Sequence, residues 1–388
     1  MPYIETRVVA KYNVTDTSTE FNIVYSTDKF DKIEIDGVEM SPVSTKYTFN
    51  SVGEHTIKYT LKDATILPAT AFAGCHMTSV TVPQSVTEIG QYAFNGCWKC
   101  TSITIPSSVT TIGSYAFAST AITSFIIPSG ITTIENSVFS STKLSSIIIP
   151  DSVTSINNYA FNECQDLSSI TIPNGVINIG NYAFSNTAIR NIVIPNSVTS
   201  LGTDVFRNCT SLISVTLSDN ITSIGESLLY YCTSLRSVTI PNGITSIGRY
   251  AFDYCSSLES ITIPNSVATI GNNAFGGCYF TTNKFVNNSS LDEVTNNYWG
   301  ATILDSDTDG LCIINNSLVK YRGIASNVTI PNTVTSIGTS AFSNCKTITS
   351  VTIPNGVTSI GQTAFYSCTN LTNITIPNSV TTIGVQAF

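Results

Sequence analysis

One short motif recurs along most of this chain, and the recurrence limits the fold more than any other feature. The segment "SLRSVTIPNGITSIGRYAFDYC" at residues 234–255 is followed almost at once by "SLESITIPNSVATIGNNAFGGC" at residues 257–278. Across residues 64–388 the proline of "IP" and the phenylalanine of "AF" return in steps of 22 or 23 residues. A fixed period of this length predicts a solenoid, in which each repeat forms one coil stacked on the next.

Each repeat contains the signals of a strand, a corner and a turn. Leu235, Val238 and Ile240 alternate with polar residues, which is the pattern of a half-buried strand. Pro241 lacks an N–H donor and ends that strand, and Gly248 opens a corner into "RYAFDYC", where we expect a short helical turn. About seven apolar side chains per coil contribute roughly 10–20 kcal/mol. Backbone ordering costs roughly 25–45 kcal/mol, so one coil needs its neighbours to fold.

The charge distribution marks a domain boundary near residue 63. Residues 1–63 carry 7 basic and 10 acidic side chains, whereas residues 64–388 carry 10 and 15 over a length about five times greater. Residues 1–63 alternate apolar and polar side chains between turn signals, and Asp36-Gly37 predicts a two-residue hairpin between Ile35 and Val38. The sequence therefore predicts a β domain at residues 1–63 and a solenoid of about fifteen coils at residues 64–388.

The repeat degenerates at residues 279–327. The step between the "IP" prolines at 264 and 331 is 67 residues, or three periods, although the motif itself is lost. Within this stretch "LCIINNSLVKY" predicts a β-hairpin turning at Asn315-Asn316 and protruding from the stack.

The repeat pattern LxxIxIPxxVxxIGxxAFxxC over residues 64–388 resembles the BspA-like, or treponemal-type, leucine-rich repeats. The segment "SVGEHTIKYTLKD" at residues 51–63 resembles the last strands of an immunoglobulin-like or PKD-like domain. These resemblances imply a mostly β fold with short helical turns, in which a small N-terminal β-sandwich precedes a leucine-rich-repeat solenoid. The first family is associated with surface attachment and host-protein binding.

Some repeats depart from the pattern. Glu135 and Asn157 replace the corner glycine, and the repeats around Phe117, Phe139 and Phe184 lack the cysteine and are one residue shorter.

Composition and motifs exclude several function classes. The formal net charge is −8, and no basic run provides the clustered Lys and Arg that nucleic-acid binding needs. No apolar run reaches the roughly 18–20 residues that cross a bilayer, and the first residues lack the order of a secretory signal. Neither His55 nor His76 lies near a nucleophile motif, and H-E-x-x-H and phosphate-loop patterns are absent. We therefore expect a protein that is not an enzyme.

The 11 cysteines suggest buried thiols rather than bridges. Equivalent side chains one coil apart are expected to be farther apart than the roughly 3.8 Å between Cβ atoms that a disulfide requires. "CWKC" at Cys97 and Cys100 has redox or zinc spacing but lacks a second pair. The cysteines that share one repeat position are Cys75, Cys97, Cys164, Cys209, Cys232, Cys255, Cys278, Cys345 and Cys368.

One acidic segment resembles half of a calcium loop. Asp305, Asp307 and Asp309 alternate as the first ligands of such a loop do. Asn316 stands where the bidentate glutamate should be, so an acidic, solvated turn is the preferred interpretation. No cofactor is expected, and calcium at these three aspartates is the alternative.

The outward position of the repeated strand is the most informative surface, and we expect it to lie on the concave face of the solenoid. Threonine occupies this position in most repeats, as at Thr171, but Ile126, Ile148 and Val193 interrupt the series. Phe285 could extend the apolar set. Two explanations remain: a partner-contacting patch, or β-propensity with lateral burial. The three exceptions fall in the three short repeats, which favours the patch.

These observations together predict a non-enzymatic binding or attachment protein. It would recognise a protein or glycan through the concave face at Ile126, Ile148, Val193 and Thr171, as an extracellular or cell-surface adhesin of a bacterium. The alternative is a structural appendage of a gut phage virion, with the N-terminal domain docking on the particle, and a glycan-active enzyme comes third. The final "TTIGVQAF" has no polar cap, so we expect further residues after Phe388 or a partner chain there.

Overall fold

The computed structural model of the protein describes residues 6–281, 284–291, 297–304, 310–314, 316–321, 323 and 325–388. Within these ranges the regular structure is almost entirely β, and the helical elements are the 3-10 segments Thr27–Lys29 and Asn297–Gly300. Coils of about 23 residues stack on one another, which confirms the predicted solenoid.

Each regular coil contributes two short strands that pair in parallel with the same strands of the adjacent coils. Because the coils have nearly equal lengths, equivalent residues stay in register, as Ser146 with Ser169. The first strands are Ser79–Thr81, Ser102–Thr104, Ser146–Ile148, Ser169–Thr171, Asn191–Val193, Ser214–Thr216, Ser237–Thr239, Ile261–Ile263, Phe285–Asn287, Asn327–Thr329, Ser350–Thr352 and Asn373–Thr375, and Ile126 joins them through a bridge to Ile148. The second strands are Ile66–Leu67, Glu88–Ile89, Thr111–Ile112, Thr133–Ile134, Ser155–Ile156, Asn178–Ile179, Ser200–Leu201, Ser223–Ile224, Ser246–Ile247, Thr269–Ile270, Ser336–Ile337, Ser359–Ile360 and Thr382–Ile383.

The N-terminal unit is an antiparallel sheet with a separate strand pair. Its strands are β1 (Val8–Val14), β2 (Glu20–Asn22), β3 (Phe30–Ile35), β4 (Val38–Glu39), β5 (Lys46–Thr48) and β6 (Gly53–Leu61). The order β1-β6-β3-β4 forms the sheet, and β2 pairs with β5. The β3–β4 hairpin turns at Asp36 and Gly37, whose φ angles are 50° and 85°, and this confirms the predicted hairpin.

The sheet of the N-terminal unit continues into the solenoid. The free edge of β1 pairs antiparallel with the first strand Ser79–Thr81, with Val9 opposite Thr81. The buried ring of Tyr59 lies 4.9 Å from that of Phe72, the first of the repeated phenylalanines. An unpaired strand edge attracts other chains, so β1 acts as a cap that covers the edge of the first coil.

A column of stacked phenylalanine rings forms the centre of the core. The rings of Phe139 and Phe161 are 5.5 Å apart at 10°, and those of Phe161 and Phe184 are 5.6 Å apart at 2°. In the degenerate stretch, Tyr321 takes the phenylalanine position: its N–H donates to Ala341 O at 2.8 Å, and its ring lies 5.2 Å from Phe342. The column therefore resumes at Tyr321, within the stretch where the motif is not recognisable.

The segment expected to form a helical turn instead forms successive β-turns. In one coil the N–H groups of Ala93, Asn95 and Cys97 donate to carbonyls three residues back, whereas those of Tyr92, Phe94 and Gly96 donate to the next coil. Every second N–H thus binds the neighbouring coil, which a helix would not allow. The alternation requires left-handed residues, here Tyr92 at φ 58° and Gly96 at φ 71°.

The corner glycine is required by the close approach of adjacent coils. A Cβ atom on Gly113 would lie 2.5 Å from the backbone nitrogen of Gln91, which no side chain tolerates without a backbone shift. Where Glu135 and Asn157 replace the glycine, the two side chains bind each other, and Asn157 Nδ2 donates to Glu135 Oε2 at 3.2 Å.

Residues 279–327 add a local rearrangement of strands. Tyr279–Thr281 pairs in parallel with Thr302–Leu304, and Leu311–Ile314 pairs antiparallel with Ser317–Tyr321. Ser317–Tyr321 also pairs in parallel with Ser336–Ile337, so one strand of this pair belongs to the ladder of second strands.

Candidate functional site

The outward side chains of the first strands form a surface that we call the strand face. Ile126, Ile148 and Val193 are 87%, 85% and 62% exposed on it, and we call these three residues the aliphatic patch. Thr171 is exposed between Ile148 and Val193. With coils about 4.8 Å apart, the patch and Thr171 extend over roughly 15 Å.

Strand alternation is what exposes the patch. Ile147 and Ile149 flank Ile148 and are buried, at 6% and 5% exposure, because successive side chains of a strand point to opposite faces. Burial of the inward residues fixes the register, so Ile148 has no route into the core.

Threonines on the strand face differ from threonines elsewhere in the coil. On the second-strand side, Thr154 Oγ1 donates to Thr132 O at 3.3 Å, and Thr245 Oγ1 donates to Thr222 O at 3.1 Å, in each case across a coil boundary. The Thr171 hydroxyl makes no hydrogen bond to the described part of the chain. Stacking of the coils therefore does not require threonine on the strand face. The residue at this outward position can vary with function.

Phe285 does not extend the aliphatic patch, contrary to the expectation from sequence. It pairs with Ile261 and is buried at 7% exposure, whereas Val286 pairs with Thr262 and takes the outward position at 39% exposure. A strand shifted by one residue exchanges its two faces, and the spacing from Thr262 to Val286 is 24 residues rather than 23. Aligning Phe285 with inward Ile261 would have revealed this.

A shallow groove lies beside Ile148 on the strand face. Ser168, Ser169 and Arg190 line it together with Ile148 and Thr171. Arg190 is exposed and forms no ion pair within the described ranges, whereas the equivalent Arg236 in a later coil contacts Glu259 at 3.5 Å. The sequence analysis missed Arg190, although earlier coils have only serine or threonine at this position: Thr101, Thr123, Ser145 and Ser168.

The three short coils carry a threonine where the others carry cysteine. Thr120, Thr142 and Thr187 stand three residues after the column phenylalanine and are 1–4% exposed. Each hydroxyl donates to the phenylalanine carbonyl of its own coil at 2.8–2.9 Å. We call these coils the Thr coils and the cysteine-bearing ones the Cys coils. The aliphatic patch lies on the first strands that follow the turns of the three Thr coils.

The cysteines of the Cys coils serve as buried donors. Cys164 Sγ donates to Phe139 O at 3.0 Å and Cys209 Sγ donates to Phe184 O at 3.1 Å, each to the preceding coil. Burial raises the pKa of Cys164 to about 11, which keeps it a protonated and poorly reactive thiol.

The "CWKC" pair behaves in the same way. Cys97 Sγ donates to Phe72 O, Cys100 Sγ donates to Ser102 O, and burial raises the pKa of Cys100 to about 12. The described ranges contain no cluster of three or more His, Cys, Asp or Glu side chains arranged to hold a metal ion. Asp305, Asp307 and Asp309 lie outside the described residues.

A Ser-His-Asp grouping occurs at the tip of the N-terminal unit. His55 Nδ1 lies 2.6 Å from Asp36 Oδ2, and His55 Nε2 lies 2.9 Å from Ser51 O but 3.4 Å from Ser51 Oγ. The hydrogen bond to Asp36 raises the pKa of His55. Both ring nitrogens face acceptors, Asp36 Oδ2 and Ser51 O, and Nε2 lies closer to this carbonyl than to the Ser51 hydroxyl, so the geometry is not that of a base activating a serine. The grouping braces the β3–β4 hairpin.

Comparisons with known proteins fit this architecture. A family model described as "BspA type Leucine rich repeat region (6 copies)" matches residues 64–189, 132–243, 177–300 and 313–388, which is more than half of the chain. No curated protein matches. Within the described ranges, no helix has the length and apolar character needed to cross a membrane.

Three solved structures are similar to this chain. A leucine-rich cell surface protein from Faecalibacterium prausnitzii is 28% identical, with 86% of each chain covered and a TM-score of 0.46. A leucine-rich repeat protein from Bacteroides ovatus is 25% identical, with 88% of this chain and 82% of the other covered and a TM-score of 0.42. The pneumococcal vaccine antigen PcpA is 20% identical, with 79% and 74% covered and a TM-score of 0.36.

Proposed function

The chain belongs to the BspA-type leucine-rich-repeat family, and from this premise we propose that it is a non-enzymatic binding protein of the bacterial cell surface. In this proposal it attaches to a protein or glycan partner through the strand face. The observation that supports the proposal is the aliphatic patch, three large apolar side chains exposed where most other coils present threonine.

The energetics of the patch favour a partner over random variation. An isoleucine or valine that passes from water into an interface contributes roughly 1.5–3 kcal/mol, so three of them can supply a large part of a binding free energy. Contact residues that dominate binding cluster at the centre of an interface and are surrounded by polar side chains. The groove residues Ser168, Ser169 and Arg190 provide such a polar border beside Ile148.

Arg190 indicates which charge the partner carries at this surface. An unpaired guanidinium can bind a carboxylate of the partner through two parallel hydrogen bonds. A partner that combines aliphatic contact area with an acidic group therefore fits the groove best.

We also propose that the N-terminal unit is an immunoglobulin-like domain used as a cap. Its β1 strand pairs with Ser79–Thr81, and the Tyr59 ring extends the phenylalanine column. In this role the unit would hold the first coils, and therefore the aliphatic patch, in a fixed register.

A triple substitution tests the proposed binding surface. Partners are first sought with the intact protein on an array of host matrix proteins and glycans. The variant Ile126→Thr/Ile148→Thr/Val193→Thr should then weaken binding by about tenfold or more, because each lost contact removes apolar area from the interface. Dissociation constants measured by biolayer interferometry for both proteins provide the comparison.

A matched control is available on another side of the coil. Ile177 is 53% exposed beside a second strand, so Ile177→Thr removes a similar exposed side chain away from the strand face. This variant should bind as the unaltered protein does. Unchanged binding in the triple variant, with loss of binding in Thr81→Ala or Thr375→Ala, would show that the ends of the face, and not the patch, contact the partner.

A further inference from the structure

A second surface lies at the seam between the N-terminal unit and the first coils, and it carries an exposed indole. Trp98 follows Cys97 and is 60% exposed. The equivalent position in most other Cys coils is polar, so coil packing does not require an aromatic ring there. The polar equivalents are Gln165, Thr210, Thr233, Ser256, Lys346 and Thr369.

A lysine and a histidine lie beside this indole. Lys99 Nζ lies 4.9 Å from the centre of the Trp98 ring, and the ring of His76 lies 6.0 Å from it, nearly perpendicular. Burial lowers the pKa of His76, and the charges of Lys99 and Lys46 lower it further. Lys99 therefore places a positive charge beside the indole, although the chain as a whole carries a net charge of −8.

Of the two lysines, only Lys46 is already paired. Lys46 Nζ lies 3.0 Å from Glu20 Oε2, and both side chains are about half exposed. Lys99 forms no ion pair with the described residues. An unpaired, partly buried ammonium group next to an exposed aromatic ring can accept an anion at little cost of desolvation.

Packing against the N-terminal unit fixes the geometry of the seam. His76 N–H donates to Asn22 O at 3.1 Å, and His76 Nδ1 accepts from Asn22 N–H at 3.4 Å. The buried ring of Phe21 lies 6.0 Å from His76 and 5.6 Å from Lys99 Nζ. Side chains held by such contacts keep their positions before a ligand arrives, which lowers the entropic cost of binding.

We propose that Trp98, Lys99 and His76, which we call the Trp98 site, bind an acidic saccharide. One sugar ring lies against the indole, and its carboxylate or sulfate group contacts Lys99. The negative face of an aromatic ring attracts the C–H groups of a sugar, and charge-assisted hydrogen bonds to ammonium groups hold the anion.

The dimensions of the site favour a saccharide over an acidic peptide. The site offers one exposed aromatic ring, that of Trp98, which suits a single sugar unit with one acidic substituent. An extended peptide instead binds along a strand edge or in a row of pockets. The Trp98 site is separate from the aliphatic patch, so its test does not depend on the proposed function.

Intrinsic fluorescence gives a direct test on the intact protein. The chain has two tryptophans, and Trp98 is exposed whereas Trp299 is buried at 5% exposure. Titration with 3′-sialyllactose or a sulfated heparin disaccharide should change the emission saturably, and the stronger of the two identifies the acidic group. Lactose, which lacks the acidic group, should produce no saturable change.

Two variants locate the site. Lys99→Gln should weaken binding by about tenfold, the typical effect of losing a hydrogen bond to a charged group. Lys143→Gln removes a lysine from a different turn and should leave binding unchanged. Trp98→Gln introduces the residue found at position 165 and should abolish binding measured by calorimetry, with an unaltered melting temperature.

Several results would overturn the proposal. They are an absence of response to both acidic saccharides, an equal response to lactose, equal affinities for Lys99→Gln and Lys143→Gln, or a response only to a glutamate-rich hexapeptide. Retained calorimetric binding in Trp98→Gln would also overturn it, because the indole would then not contribute.

Discussion

The Thr coils and the Cys coils both supply a side-chain donor to a phenylalanine carbonyl. The threonine donates to the carbonyl of its own coil, and the cysteine donates to that of the preceding coil. The hydroxyl of Thr142 stays in its own coil and donates to Phe139 O at 2.9 Å, whereas Cys164 Sγ reaches back one coil to the same oxygen at 3.0 Å. A carbonyl oxygen has two lone pairs and can accept both. The side chain at this position thus determines whether its own hydrogen bond stays within the coil or reaches the preceding coil.

This difference accounts for the lengths of the coils. After the cysteine, a Cys coil makes one more turn, in which Leu167 N–H donates to Cys164 O at 3.0 Å. A Thr coil reaches the next inward residue sooner, since Leu144 stands two positions after Thr142. Loss of that turn shortens the coil by one residue, so a shorter coil and the replacement of cysteine by threonine occur together.

The largest expected effect concerns the phenylalanine column, which the two kinds of coil share. Phe139→Ala in a Thr coil and Phe161→Ala in a Cys coil should each lower the free energy of unfolding by about 3–5 kcal/mol, because both rings are fully buried in the column. Urea unfolding of each single variant provides the measurement. If the two losses of unfolding free energy differ by more than about half, the phenylalanine column does not stabilise the two kinds of coil equally.

Thiol reactivity should separate the buried Cys coils from the last ones. Burial raises the pKa of Cys164 from 9.0 to about 11, so its thiolate fraction at pH 8 falls about 100-fold. Cys368 is partly exposed and should be labelled first. Mass spectrometry after denaturation without reductant should count 11 labelled cysteines. Labelling of only some of them would demonstrate disulfides.

A smaller effect should distinguish the Thr coils from one another. In Thr120→Val the Phe117 carbonyl loses its donor, and the described chain offers no second one, so we expect a cost of about 1–3 kcal/mol. In Thr142→Val the Phe139 carbonyl keeps Cys164, so the cost should fall to about 0.5–1.5 kcal/mol. Chemical unfolding of the two isosteric variants gives the ranking. Equal costs would mean that the thiol is not an effective donor.

The smallest effect on stability is expected on the strand face. Ile148→Thr in a Thr coil and Thr171→Ile in a Cys coil should each change the free energy of unfolding by less than about 0.5 kcal/mol, because both side chains are exposed. Thermal unfolding monitored by circular dichroism tests both. A cost above about 1 kcal/mol for Ile148→Thr would indicate that Ile148 contributes to folding, and the argument for a binding role would lose its basis.

Much of the candidate site followed from strand alternation alone. The period of two places Ile126, Ile148 and Val193 outward, and their exposure in the structure agrees. Phe285 was misplaced because the preceding coil is one residue longer, and a one-residue shift exchanges the faces of a strand. The threonines of the Thr coils were visible in the sequence, but their role depends on hydrogen bonds that no local pattern reveals.

The sequence by itself determined the period, the inward and outward residues of each strand, and the turn at Asp36-Gly37, because these depend on residues close together in the chain. Only the tertiary structure decided the pairing of β1 with Ser79–Thr81 and the contact of Lys99 with Phe21. These contacts join residues about 70 to 80 positions apart. Their formation depends on which surfaces remain uncovered once the coils have stacked, and a repeating pattern carries no information about that.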